Sequence, residues 1–230
     1  MRGKGKTQIK GQTETSAYLN MFTVVVFGDS WVGKTSLCKA FLGEPLNEDY
    51  EPTVEDFYST QIVHKEKNYQ VDIIDTCGTE TFPAMRRMEI NKADAILLVY
   101  SLDKPHSFEW LVQVQEEIFQ QRGGNLPVMV VANKADVIVE ANALNVTTRD
   151  GKTIHTRNVA EKEWGFLWTM TSAKMALGVH EIFHGLIDAF QLRRSQSLPV
   201  KQSFSSPRRS LLLSTLRRKL TIGDLYCKSK

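Results

Sequence analysis

Cysteine is scarce in this 230-residue chain: Cys38, Cys77 and Cys227 are odd in number and lack paired metal spacing. That argues against a disulfide framework and suits a reducing, intracellular compartment. Long hydrophobic runs are missing too. None approaches the roughly 18 residues of a membrane-spanning helix, and residues 1–20 lack the apolar stretch of a secretory signal. Residue 2 is arginine, not glycine, which excludes N-myristoylation. Basic charge is missing from the middle of the chain. The net charge is +3, yet residues 1–20 carry four basic side chains against one acidic, and residues 191–230 carry ten against one, so residues 21–190 hold the balance at −9. Duplex nucleic acid needs a basic face on the folded body, so an acidic body argues against nucleic-acid binding. The basic ends instead suit an anionic membrane or an acidic partner.

With 42% hydrophobic residues the chain can bury one core. Residues 1–20 are polar and basic and are expected to be a disordered extension, residues 21–190 the folded body, and residues 191–230 a basic, largely disordered tail. Within the body, residues 23–27, 60–63, 69–74, 95–100, 128–132 and 166–170 read as strands. Phe108, Leu111, Val114 and Ile118 recur at helical spacing, as do Val179, Ile182, Phe183, Leu186, Ile187 and Phe190. The runs at 95–100 and 128–132 are apolar on both faces, as in strands covered by helices on each side. Alternating strands and helices predict an α/β fold with a mostly parallel sheet and ligands at the carboxyl ends of its strands.

One such end carries Gly28-Asp29-Ser30-Trp31-Val32-Gly33-Lys34-Thr35, which matches G-x-x-x-x-G-K-[ST] between a strand and a helix. Phosphates need dense donors and little water. A glycine-containing turn converges backbone N–H groups on them, and the helix N-terminus adds its dipole. Lys34 then reaches the outer phosphates and the Thr35 hydroxyl serves magnesium. Asp75-Thr76-Cys77-Gly78 closes another strand. There Asp75 can hold magnesium through water and the Gly78 N–H can meet the terminal phosphate. Asn133-Lys134-Ala135-Asp136 selects the base, because a carboxylate accepts from the N1–H and amine of guanine and finds no such donor pair on adenine. Thr171-Ser172-Ala173-Lys174 supplies a further loop whose backbone N–H can meet the guanine O6.

Together with Pro52-Thr53, these segments resemble the motif set of Ras-type small GTPases over residues 21–190. The resemblance implies a six-stranded, P-loop NTPase fold that binds GTP or GDP with magnesium, hydrolyses GTP and switches effector binding in signalling. It implies a nucleotide site of Ser30, Trp31, Val32, Gly33, Lys34, Thr35, Ser36, Thr53, Gly78, Asn133, Lys134, Asp136, Ser172, Ala173 and Lys174. Magnesium would fall to Thr35, Thr53 and Asp75, and catalysis to Lys34, Thr53 and the residue at Thr79. Tyr50-Glu51-Pro52-Thr53-Val54-Glu55-Asp56-Phe57-Tyr58 is similar to the effector loop of the Ras branch, with contacts expected from Tyr50, Pro52, Val54, Glu55, Asp56 and Tyr58. Phe82-Pro83-Ala84-Met85-Arg86-Arg87 is similar to Di-Ras and, less closely, Rap proteins. Effectors, GTPase-activating proteins and exchange factors are the implied partners, and the cytoplasm, at the inner face of the plasma membrane, the implied location.

Three departures bear on rate. Thr79 stands where Ras proteins commonly place the glutamine that orients the attacking water, Ser30 where glycine often admits an activating arginine, and Leu46 where an aromatic covers the guanine. These predict slow intrinsic hydrolysis with faster exchange. Two readings stay open: a switching GTPase, helped by a partner that supplies the missing group, and a GTP-bound interaction module with negligible turnover. His180-Glu181-Ile182-Phe183-His184 matches the zinc signature H-E-x-x-H, but a polar stripe with Asp188 on a solvated helix face accounts for it. His64 reads as a surface residue and Trp164 and Trp168 as packing. Asp150-Gly151 predicts a small hairpin turn between residues 146–148 and 153–154. In the tail, Leu212, Leu213, Leu216 and Leu220 among basic residues suit an anionic membrane or a calmodulin-like groove. Cys227, four from the end before polar residues, is a poor prenylation site.

Overall fold

A computed structural model describes residues 20–46, 55–78, 83–137, 144–148 and 151–197. In chain order they form β1 (Asn20–Gly28), α1 (Lys34–Leu42), β2 (Glu55–His64), β3 (Lys67–Thr76), α2 (Pro83–Lys92), β4 (Ala95–Ser101), α3 (Ser107–Arg122) and β5 (Val128–Asn133). There follow β6 (Asn145–Thr147), β7 (Thr153–His155), a short turn α4 (Thr156–Asn158) running into a wide turn Val159–Glu163, β8 (Leu167–Met170) and α5 (Val179–Ser197). Six strands make one sheet in the order β2-β3-β1-β4-β5-β8. All neighbours are parallel except β2, which runs antiparallel to β3 along the outer edge. The expected small hairpin is present as β6 and β7, closed by the Thr148 N–H donating to the Lys152 carbonyl at 2.9 Å.

Strand periodicity sorts the core. Val24 and Val26 of β1 face α1 and α5 through Phe41, Ile182, Phe183 and Leu186. Val25 and Phe27 face the other side, where Ile90, Phe108, Leu111, Val114 and Ile118 pack. Both faces of β1 are thus dry, which is why its sequence is a continuous apolar run. Phe41 and Phe183 stack at 3.6 Å between centroids and join α1 to α5. Phe183→Leu keeps most of the volume and loses the stack, so its unfolding free energy in urea should fall by about 1–1.5 kcal/mol. On the other face the Arg86 guanidinium donates to both carboxylate oxygens of Glu117 at 2.6 and 2.8 Å, pinning α2 to α3.

The sequence underestimates β2 and β3, which run to Glu55–His64 and Lys67–Thr76 and meet in a two-residue turn. Lys65 and Glu66 both take positive φ there, 48° and 64°. A right-twisted hairpin demands that geometry, and here it is met without asparagine or glycine. Glu66→Gly removes a left-handed penalty larger than the entropy glycine loses, so stability should rise by about 0.5 kcal/mol. A urea midpoint that falls would contradict this.

Candidate functional site

The carboxyl ends of β1, β3, β5 and β8 bring four sequence segments to one edge of the sheet. β1 ends at Gly28 and α1 starts at Lys34, so residues 29–33 turn tightly between them. Gly33 takes φ 90°, and a Cβ there would lie 2.5 Å from the Asn133 amide nitrogen. That amide instead donates to the Val32 carbonyl at 2.9 Å and ties the phosphate loop to the end of β5. Lys34 is 7% exposed and donates to the carbonyls of Gly28 and Asp29, both at 3.0 Å. Burial lowers its pKa, while the charges of Asp75, Cys77 and Asp29 oppose that shift. The result is a desolvated ammonium fixed over the loop.

Thr35 donates its hydroxyl to Asp75 Oδ2 at 2.5 Å. Asp75 is fully buried, and its other oxygen, Oδ1, has no hydrogen-bond partner among the described residues. Burial lifts its pKa from the usual 3.8 to about 6, against the pull of the Thr35 hydroxyl and the Lys34 charge. A buried carboxylate oxygen without a donor is an unmet demand for a cation or its water, and two hard oxygens side by side fit magnesium chemistry. Gly78 packs on Ser30: a Cβ on Gly78 would overlap the Ser30 hydroxyl and lie 2.7 Å from the Ser30 backbone nitrogen. The Ser30 side chain therefore fills the gap between the phosphate loop and the segment after β3.

At the other end of the site the base loops are braced together. Ala135 N–H donates to the Thr171 carbonyl at 2.8 Å. The Asn133 amide oxygen accepts from the Thr171 hydroxyl and the Ala173 N–H, each at 3.2 Å. The Ser172 hydroxyl donates to Asp136 Oδ1 at 2.5 Å, which aims the half-buried carboxylate. Asn133 is thus the brace of three loops, a role that its place in the motif did not announce. Leu46 and Ser36 are half-buried, Val32 and Ala173 buried, and Trp31 (59%) and Lys174 exposed. Thr53, Thr79, Tyr50, Pro52 and Val54 lie outside the described residues. Of the expected effector contacts, Glu55, Asp56 and Tyr58 open the edge strand β2, where Phe57 is 67% exposed.

Two residues at this edge, Asp103 and Lys104, escape sequence reasoning. Lys104 pairs with Asp29 at 2.6 Å, and Asp103 with Lys134 at 2.8 Å. No local motif marks Asp103 or Lys104, since each pairs with a motif residue far away in the chain. The polar stripe on α5 also differs from its reading as a solvated face. His64 is buried, its Nδ1 lies 2.8 Å from His184 Nδ1, and its Nε2 lies 2.6 Å from Asp188. His180 turns to the Phe41 ring, at 5.4 Å. His64 is placed there because β2 ends beneath α5, so the stripe braces the β2–β3 turn. Among the described residues no group of three or more His, Cys, Asp or Glu is arranged to hold a metal, and no helix is long and apolar enough to cross a membrane.

The sequence is similar to those of known proteins. The profile of the Ras family matches residues 23–192. The chain is 36% identical over 189 residues to mouse GTP-binding protein Di-Ras1, covering 81% of this chain and 90% of that protein. It is 34% identical over 192 residues to GTP-binding protein drn-1 of Caenorhabditis elegans, covering 82% and 83%. It is 29% identical over 191 residues to Ras-like protein 2 of Mucor circinelloides f. lusitanicus, covering 83% and 91%. With the Ras family profile spanning the folded body and relatives at 34–36% identity over most of the chain, the chain belongs to the Ras family and is a small GTPase that binds and hydrolyses guanine nucleotide in signalling.

Proposed function

We propose that residues 21–190 form a magnesium-dependent switch whose own hydrolysis is slow, flanked by basic extensions at 1–20 and 191–230. The observation that carries the metal assignment is the buried Oδ1 of Asp75, without a partner among the described residues, beside the Thr35 hydroxyl. Thr35, Asp75 and Thr53 hold the ion, which when bound offsets phosphate charge. Lys34 supplies a positioned ammonium, the backbone of residues 30–36 and Gly78 supplies N–H donors, and Asp136 with the Ser172-Ala173-Lys174 loop reads guanine. Asn133 and Lys134 act by holding these loops. Effectors meet the segment 50–58 by pairing with the exposed edge of β2, and exchange factors and activating proteins act on the same face.

Slow hydrolysis is supported by Thr79, whose side chain has no amide to orient water, and by Ser30, which packs where an arginine would enter. The tail, nine charges in excess of neutral, meets an anionic surface at the inner face of the plasma membrane. Single-turnover phosphate release by the full chain tests the rate. Thr79→Gln should accelerate it about tenfold or more by positioning water, and an unchanged rate would remove the role given to Thr79. No release from the wild type over hours would instead favour a GTP-bound interaction module.

A further inference from the structure

We infer that the loop after β4 is an electrostatic latch on the bound nucleotide, with Lys104 and Asp103 as positioning residues that set its release rate. These neighbours point their charges at opposite ends of the site. Lys104 Nζ reaches Asp29 Oδ2 at 2.6 Å and the Ser30 carbonyl at 3.4 Å, both in the phosphate loop. Asp103 Oδ2 accepts from Lys134 Nζ at 2.8 Å, in the loop that carries the guanine-selecting Asp136. Asp29 passes the contact on, since its Oδ1 accepts the Ser30 N–H at 2.7 Å. On the placement proposed above, the nucleotide lies from the phosphate loop to Asp136, and the latch joins these two loops through a third segment.

The third segment is itself anchored. The Ser107 hydroxyl donates to the Lys104 carbonyl at 2.6 Å and accepts the Ser101 N–H at 3.0 Å, and the Ser101 hydroxyl is bonded to Asp103. Hydrogen bonds from Lys134 and Ser101, with the Lys134 charge, outweigh partial burial and hold the Asp103 carboxyl below its usual range. Single exposed ion pairs stabilise little. Here Asp29 is only 12% exposed against 45% for Lys104, and four charges sit on fixed backbone, so the network counts for more than either pair. Screening by salt should loosen it.

The test is release of a fluorescent GDP derivative from the full chain with magnesium, chased by unlabelled GDP. Lys104→Met and Asp103→Asn should each speed release about three- to tenfold in low salt, and Asp29→Asn with Lys104→Met should exceed neither single change by more than about twofold. Lys104→Arg should stay within about twofold of wild type, and 1 M NaCl should bring wild type and Lys104→Met together. Release from Lys104→Met and Asp103→Asn at the wild-type rate overturns the latch. So does Lys104→Arg releasing as fast as Lys104→Met, because the restored positive charge would then restore nothing. The inference rests on the nucleotide placement proposed above: failure of the wild type to retain GDP would sink that placement and the latch with it, whereas retention with unchanged release rates sinks the latch alone.

Discussion

Lys34→Met is expected to lower affinity for both GTP and GDP by several hundred-fold while the chain remains folded. The ammonium is already desolvated and held by the Gly28 and Asp29 carbonyls, so it meets a phosphate without paying for dehydration or for ordering of its side chain. Methionine keeps the apolar stem and loses the charge. Truncating one partner of a buried, hydrogen-bonded charge pair costs about 2–5 kcal/mol, and at 1.4 kcal/mol per tenfold the middle of that range is a few hundred-fold in affinity. GDP should suffer nearly as much as GTP, because the amine stands over the loop itself, not beyond its far end. Titration calorimetry on nucleotide-stripped protein decides the matter, with far-ultraviolet circular dichroism as the check on folding. A loss smaller than tenfold, with helical content intact, would show that backbone N–H groups carry phosphate binding on their own.

The residues of that prediction were legible because their chemistry fixes both type and spacing. The motif between a strand and a helix sets glycine, lysine and threonine at fixed positions, and Asp136 lies just beyond β5, at a strand's carboxyl end, where the sequence placed it. The helices α3 and α5 were legible for a different reason: Phe108, Leu111, Val114 and Ile118, and Ile182, Phe183 and Leu186, repeat at the period of the face they bury. What stayed hidden were contacts between residues distant in the chain. His64 read as surface because nothing local says that β2 ends under α5, and the pairing of Lys104 with Asp29 and of Asp103 with Lys134 had no local signal for the same reason. The β2–β3 turn was invisible because Lys65-Glu66 adopts by tertiary constraint a geometry that asparagine and glycine would have advertised. Asn133 was assigned to the nucleotide by its motif, but its amide atoms are found bracing the Val32, Thr171 and Ala173 loops.

Asp75→Asn is expected to stabilise the stripped chain, free of nucleotide and magnesium, by about 2–3 kcal/mol at pH 7.5, and to lose that advantage in acid. Asp75 titrates near 6 in the folded chain and near 4 when unfolded, because burial disfavours its charge. The folded state therefore binds the proton more tightly, and wild-type stability falls as pH rises from about 4 to 6, remaining lowered above that. The cost of ionising Asp75 should be about 3 kcal/mol at pH 7.5, about half of that at pH 5 and close to nothing below pH 4, so the gap between variant and wild type should close in that order. Asparagine still offers an oxygen to the Thr35 hydroxyl and carries no charge to desolvate. Saturating GTP and magnesium should reverse the ranking, since a ligand that favours the wild-type carboxylate stabilises by its mass action on the folded state alone. A variant less stable than wild type at pH 7.5, or a gap indifferent to pH, would remove Asp75 as the source. If the gap behaves as described, the same unpartnered oxygen that weakens the empty protein is the one that recruits the ion, and stability has been given up at the position where binding needs charge.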